Sequence, residues 1–191
     1  MIDTHSHIFS EEFKEDLPEV IARAKEIGVE KIFMPNIDDT SVADMLNVCR
    51  QYPDYCFPMI GFHPTSVEGP DAIYKVKEMK KRLVEGHPYI AIGEVGLDLY
   101  WDKTWLKEQQ QILDEQIQWA LEWKLPLVIH CREAFPELFQ VLEPYKHTEL
   151  TGVFHSFTGT VDEARAAMEK LPEGASLMNA YTTQDSLLRQ L

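Results

Sequence analysis

Long apolar runs are missing from this sequence. None approaches the ~18 consecutive residues that a membrane-spanning helix needs, so no such helix is expected. The opening residues Met1-Ile2-Asp3-Thr4-His5 carry neither a positive cluster nor a hydrophobic stretch, and no signal peptide is expected. Cysteine is scarce: Cys49, Cys56 and Cys131 are odd in number and lack C-x-x-C spacing. That excludes a disulfide framework and fits reduced thiols in a cytoplasmic protein. Positive charge is also short, with 18 Lys and Arg against 32 Asp and Glu and a net charge of −14. A broad surface that coats nucleic acid is therefore excluded, because such surfaces rest on Lys and Arg contacts to phosphate. A local metal site that grips one phosphate is not excluded. Low-complexity stretches and linkers are absent too, and 191 residues with 45% hydrophobic content fit one domain with a real core.

What the sequence has is repetition. Ile2–Ile8 reads as a strand and Asp16–Ile27 as a helix, with Leu17, Val20, Ile21, Ala24 and Ile27 on one face, a variant capping box at Asp16 and Glu19, and Gly28 as terminator. The phrase then recurs. Strands are expected at Lys31–Pro35, Cys56–Gly61, Tyr89–Gly93, Leu125–His130 and Gly152–His155. Helices are expected at about Ser41–Tyr52, Asp71–Glu85, Thr104–Trp123, Pro136–Tyr145 and Val161–Leu171, the last with a Thr160/Glu163 capping box. Continuous apolar strands such as Leu127-Val128-Ile129 suit a sheet covered on both faces. The fold class expected is α/β, an incomplete TIM-type (β/α) barrel of about six to seven strands; an open doubly wound sheet also fits the alternation.

Chemistry gathers at the strand ends. His5 and His7 lie two apart, so on one strand they would share a face. His63 follows the third strand, Glu94 the fourth, His130 ends the fifth and His155 the sixth, so five of the six strand ends carry a potential ligand although the chain has only seven His. In a barrel those ends converge on one face, where active sites are built. Each residue also has a plain structural reading: His-x-His pairs are often incidental, Glu94 alone could be a salt-bridged core acid, and lone buried histidines are more often hydrogen-bonded than ligating. Together, imidazole plus carboxylate is a common hydrolytic ligand set. His87 and His147 are expected in loops without a role, and Asp38 and Asp39 as turn and cap residues.

The segments Asp3-Thr4-His5-Ser6-His7, Gly61-Phe62-His63-Pro64, Gly93-Glu94-Val95-Gly96-Leu97-Asp98, Val128-Ile129-His130-Cys131-Arg132 and His155-Ser156-Phe157-Thr158-Gly159 occur in the order and at the spacing of a known family. In them the chain resembles the TatD metal-dependent deoxyribonucleases, within the amidohydrolase-like barrels, from Met1 to about Glu169. The resemblance implies two divalent metal ions, Mg²⁺ or Mn²⁺ in catalysis with Zn²⁺ possible, and DNA as substrate. It implies His5 and His7 as ligands of one ion, His130 and His155 of the second, and Glu94 as the bridge. His63 would contact the phosphate or help proton transfer. Arg132 would contact phosphate, or else pair with Glu133 or another acid.

The resemblance also implies two further strands and a closing Asp ligand that the sequence after Glu169 lacks, dividing the chain into barrel units (1–169) and a divergent tail (170–191). Ala175–Tyr181 is a candidate seventh strand and Gln184–Leu191 a short helix, whose Asp185 is a poor candidate for the missing ligand. A truncated end of this kind would leave a weak or inactive nuclease, and open edges at the first and sixth strands would invite self-association. Two alternatives stand beside the nuclease. One is another amidohydrolase-type enzyme, disfavoured because Tyr89–Asp98 holds Glu94 but no Lys to bridge metals. The other is an inactive metal-binding fragment.

Overall fold

A computed structural model of the protein describes residues 1–170 and 176–177. The elements alternate as β1 (Ile2–Asp3), α1 (Leu17–Glu26), β2 (Lys31–Met34), α2 (Val42–Gln51), β3 (Cys56–Pro58), α3 (Ala72–Lys80), β4 (Ile92–Asp98), α4 (Leu106–Trp123), β5 (Leu127–Arg132), α5 (Phe135–Leu142), β6 (Gly152–Phe154), α6 (Val161–Lys170) and β7 (Ser176–Leu177). Short 3-10 turns occupy Glu11–Phe13, Pro64–Ser66 and Glu143–Tyr145. Every paired strand is parallel to its predecessor in sequence, in the orders β1-β2-β3 and β4-β5-β6-β7. A parallel bridge between Ile60 and Ile92 joins the two groups. The strand order never reverses, so the doubly wound alternative falls and the incomplete (β/α) barrel stands. Among the described residues no helix is long and apolar enough to cross a membrane.

The helices pack because their apolar residues recur on one face. In α4, Ile112, Leu113, Ile117, Trp119 and Ala120 are buried, while Leu106 and Leu121 are only partly so. The α4 helix ends where Lys124 enters the left-handed region at φ 53°. The Thr160/Glu163 box forms: Glu163 N donates to Thr160 Oγ1 at 3.2 Å, and Thr160 N donates to Glu163 Oε2 at 2.7 Å.

Several expectations are corrected. Asp16 makes no side-chain cap bond; its carboxylate lies 3.4 Å from Arg23 instead. The β1 strand is two residues long, so His5 and His7 lie beyond it, although Ser6 N still donates to Phe33 O at 3.1 Å. The fourth strand is shifted forward to Ile92–Asp98, placing Glu94 and Asp98 inside it. Its Gly, Glu and Asp are poor strand formers in isolation, but the strand is buried along its full length and held by β5. The sixth strand is not an open edge, since Val153 and Phe154 pair with Ser176 and Leu177. These two residues lie in the segment expected as a seventh strand. The rest of that segment, the Gln184–Leu191 helix and Asp185 lie outside the described residues.

Candidate metal centre

The Glu94 carboxylate organises the site. Its Oε2 faces two imidazoles, His5 Nε2 at 3.1 Å and His7 Nε2 at 3.9 Å. Its Oε1 faces two others, His130 Nδ1 at 3.3 Å and His63 Nε2 at 3.8 Å. Two groups of potential ligands therefore share one carboxylate: His5, His7 and Glu94, and His63, Glu94 and His130.

The backbone explains how Glu94 reaches this position. The register of β4 on β5 passes from Gly93↔Val128 to Val95↔Ile129, so Glu94 has no residue opposite it, a bulge of the kind that re-aims a side chain. Asn36, fully buried, holds this point: its N–H donates to Gly93 O at 3.0 Å and its carbonyl accepts from Glu94 N at 3.2 Å. The Asn36 side chain donates to Gly61 O at 2.8 Å and accepts from Ser41 Oγ at 3.0 Å. Gly96 is required at the next crossing, because a Cβ there would collide with the His130 carbonyl.

Each histidine is fixed differently. His5 and His7 bring their Nε2 atoms within 3.2 Å of each other, and buried His5 Nδ1 has no hydrogen-bond partner. His63 Nδ1 accepts from the Thr65 backbone N–H at 3.2 Å, so in its neutral form the proton is on Nε2, facing the cluster. His130 Nε2 lies 2.8 Å from Asp98 Oδ2, which leaves Nδ1 turned to Glu94. His155 stacks on His5 with ring centroids 3.4 Å apart, so it lies beside the first group rather than within the His63–Glu94–His130 group. Arg132 lays its guanidinium over Tyr100 at 3.6 Å, and no ion pair to Glu133 or another acid forms among the described residues.

The electrostatics follow from this crowding. Burial lowers the pKa of His63 and of His155 to about 4, and burial with the neighbouring His5 lowers that of His7. These rings are neutral near pH 7; His7 and His155 can then offer a lone pair to a cation, whereas His63 turns a proton on Nε2 toward the cluster. Burial alone would raise the Glu94 carboxyl, but hydrogen bonds from His130 and His5 outweigh it and hold the group well below the usual range. Burial likewise pulls His130 down, yet the bonds to Asp98 and Glu94 prevail and raise it to about 9. A cation fits this donor set: in each group imidazole nitrogens and the ionised Glu94 carboxylate lie within 4.8 Å of one another, and a metal at the second group would displace the His130 Nδ1 proton.

Sequence reasoning missed four supporting residues. Asp98 lies four residues after Glu94 on the same strand, and the period of two that groups His5 with His7 would also have grouped these acids. Asn36 gave no signal. Gln109 and Gln116 are buried on α4, seven residues apart and hence on one helix face. Gln116 binds both the N–H and the C=O of Phe62, beside His63, at 2.7 and 3.3 Å. Gln109 does the same for Asp98 at 3.0 and 3.1 Å.

A family profile described as "TatD related DNase" matches residues 2–189. The "uncharacterized metal-dependent hydrolase YabD" of Bacillus subtilis is 34% identical over 172 residues, which cover 88% of this chain and 65% of YabD. A "3'-5' ssDNA/RNA exonuclease TatD" from Erwinia tasmaniensis is 31% identical over 168 residues, covering 88% of this chain and 64% of that protein. The crystal structure of YjjV, a TatD homologue from Escherichia coli K12, superposes with a TM-score of 0.77 at 27% identity, over 93% of this chain and 66% of YjjV. The chain thus spans just under two-thirds of the length of these relatives.

Proposed function

Because the chain belongs to the TatD-related DNase family, we propose that its histidine–glutamate cluster is a divalent-metal site for hydrolysing phosphodiester bonds of DNA, releasing nucleotides from a strand end. The observation that carries the reading is the position of Glu94, with two imidazoles on each of its carboxylate oxygens. A carboxylate so placed would be shared by two cations. His5 and His7 would hold one ion and His130 a second. His155 would join them from its place stacked against His5. Divalent cations, when bound, lower the pKa of water and neutralise charge on a phosphodiester oxygen. Mg²⁺ or Mn²⁺ suits that chemistry, and Zn²⁺ suits the imidazole-rich donor set.

The chain's own residues have separable roles. Asp98 accepts the His130 Nε2 proton and fixes which ring nitrogen faces the cluster, the arrangement in which a carboxylate orients a ligating histidine. His63 carries its proton on Nε2, so it is suited to donate a hydrogen bond to a phosphate oxygen. Arg132, free of any ion pair among the described residues, is a second substrate contact. The cytoplasm is the expected compartment, since Cys49, Cys56 and Cys131 are all free. Self-association would use the outer edge of β1, which has no strand partner among the described residues.

The test is an end-labelled single-stranded oligonucleotide incubated with Mg²⁺, Mn²⁺ or Zn²⁺. Metal-dependent release of mononucleotides, abolished by chelation and by Glu94→Gln, is expected. Hydrolysis of an ester or amide with no cleavage of the oligonucleotide would replace this reading with that of a different barrel hydrolase.

A further inference from the structure

Beside the cluster, the loop after β4 carries two large aromatic rings into solvent. Trp101 is 72% exposed and Tyr100 47%, the two most conspicuous exposed aromatics near the site. A single exposed ring is ordinary, but two adjacent ones in contact form an apolar patch beside the site. These two are also held in place. Asp98 Oδ1 accepts from Tyr100 N at 3.0 Å and from Trp101 N at 3.4 Å, while Oδ2 of the same carboxylate binds His130. Leu99 N donates to Arg132 O at 3.0 Å, which ties the loop to β5. The Arg132 guanidinium covers Tyr100 at 3.6 Å and lies 5.5 Å from the Trp101 ring, and the two aromatics meet edge to face at 87°. Arg132 is two residues past His130, so the platform begins roughly 7 Å along the strand from a cluster residue.

The surrounding charge indicates what such a platform would hold. A groove of about 290 Å³ on the Tyr100 and Arg132 side of the platform, with Trp101 outside it, is walled by Glu133, Phe135, Thr158, Gly159 and Glu163. Its single cation, Arg132, faces two carboxylates and is already laid over Tyr100, so the wall offers little net attraction to phosphate. The chain's net charge of −14 points the same way, since phosphate attraction over a wide surface cannot supply the affinity. Aromatic stacking can, for unpaired bases, because every base has a π-face.

The geometry points to Trp101, braced by Tyr100 and Arg132, as a stacking platform for an unpaired nucleobase of the strand whose phosphodiester enters the histidine–glutamate cluster. Such a platform takes only an unpaired base, because in a duplex the base faces are covered. The inference takes its substrate from the nuclease reading, but it can be tested without metal.

The experiment titrates the protein in EDTA with a single-stranded dT oligonucleotide, with an oligonucleotide of equal length bearing abasic sites at its terminal positions, and with a blunt duplex. Tryptophan emission and anisotropy of a labelled strand are both read. Trp101→Ala is expected to weaken binding of the single strand by about tenfold to a hundredfold. Trp101→Phe should retain most of the affinity while losing the emission change. Wild type and Trp101→Ala should become equal on the abasic strand, and the duplex should compete poorly. A wild-type protein with no emission change up to saturating single strand overturns the proposal, as does a Trp101→Ala protein that binds it normally. So does an equal loss on the abasic strand, which would mean that Trp101 acts through folding or charge. Trp101-dependent binding without cleavage in any metal would refute the nuclease reading alone. Cleavage indifferent to Trp101 would refute the platform alone.

Discussion

Replacing Gln116 or Gln109 with Leu keeps the side-chain volume close and removes both polar atoms from a buried helix face. In Gln116→Leu, the N–H and C=O of Phe62 lose their side-chain partner at a residue only 1% exposed. In Gln109→Leu, the same happens to Asp98, 2% exposed. A buried polar group left unpaired costs about 1–3 kcal/mol, so each variant should lose about 2–6 kcal/mol of stability, less whatever water recovers. The two positions are about 10 Å apart along the helix and share no partner, so the double variant should sum the single losses to within about 0.5 kcal/mol. Gln116→Glu is a sharper control. Its carboxylate can still accept from Phe62 N, but it faces the Phe62 carbonyl with a second acceptor and buries a charge, so it should be no better than Leu. The assay is urea denaturation followed by far-UV circular dichroism, with the slope checked for constancy. Leu variants within about 0.5 kcal/mol of wild type would refute the claim that these glutamines clamp the strand ends beneath the site.

Other outcomes follow from single contacts. Gly96→Ala should cost about 4 kcal/mol or more and leave little folded protein, because the new Cβ meets the His130 carbonyl. Gly28→Ala meets nothing within 4 Å and should cost only about 1–2 kcal/mol for its positive φ; circular dichroism melts compare the two, and equal losses would contradict the steric argument. Asp98→Asn should weaken Mn²⁺ binding about 10-fold to 100-fold with the fold intact, read by titration calorimetry, because His130 loses the carboxylate that orients it; unchanged affinity would remove Asp98 from the site. Burial pushes the thiols of Cys49 up to about 12 and Cys56 up to about 11, and raises that of Cys131 further. All three should react slowly with a disulfide reagent at pH 8 until the protein is unfolded, and fast reaction of the native protein would contradict their placement.

The alternation of strands and helices, and the ends at which the histidines fall, were legible because periodicity and burial act locally along the chain. Element edges were less so. The fourth strand is expected at Tyr89–Gly93 rather than Ile92–Asp98 because Glu94, Gly96 and Asp98 carry little strand propensity of their own; only pairing with β5 and burial along the whole strand hold them extended. His5 and His7 were expected to meet through the geometry of a regular strand. They meet instead in the extended segment after a two-residue β1. Residues that act through backbone groups, namely Asn36, Gln109 and Gln116, left no trace in the pattern, because their partners are 11 to 54 residues away in sequence. The Arg132 contact with Tyr100 was hidden for the same reason, since it depends on how two neighbouring strands end.

Whether Glu94 joins two cation positions is decided by anomalous scattering from crystals grown with Mn²⁺. Anomalous peaks are expected against both oxygens of Glu94, one flanked by His5 and His7 and the other by His130, with both lost in Glu94→Gln. Peaks that persist in Glu94→Gln, or that lie away from these histidines, would contradict a joining role for Glu94.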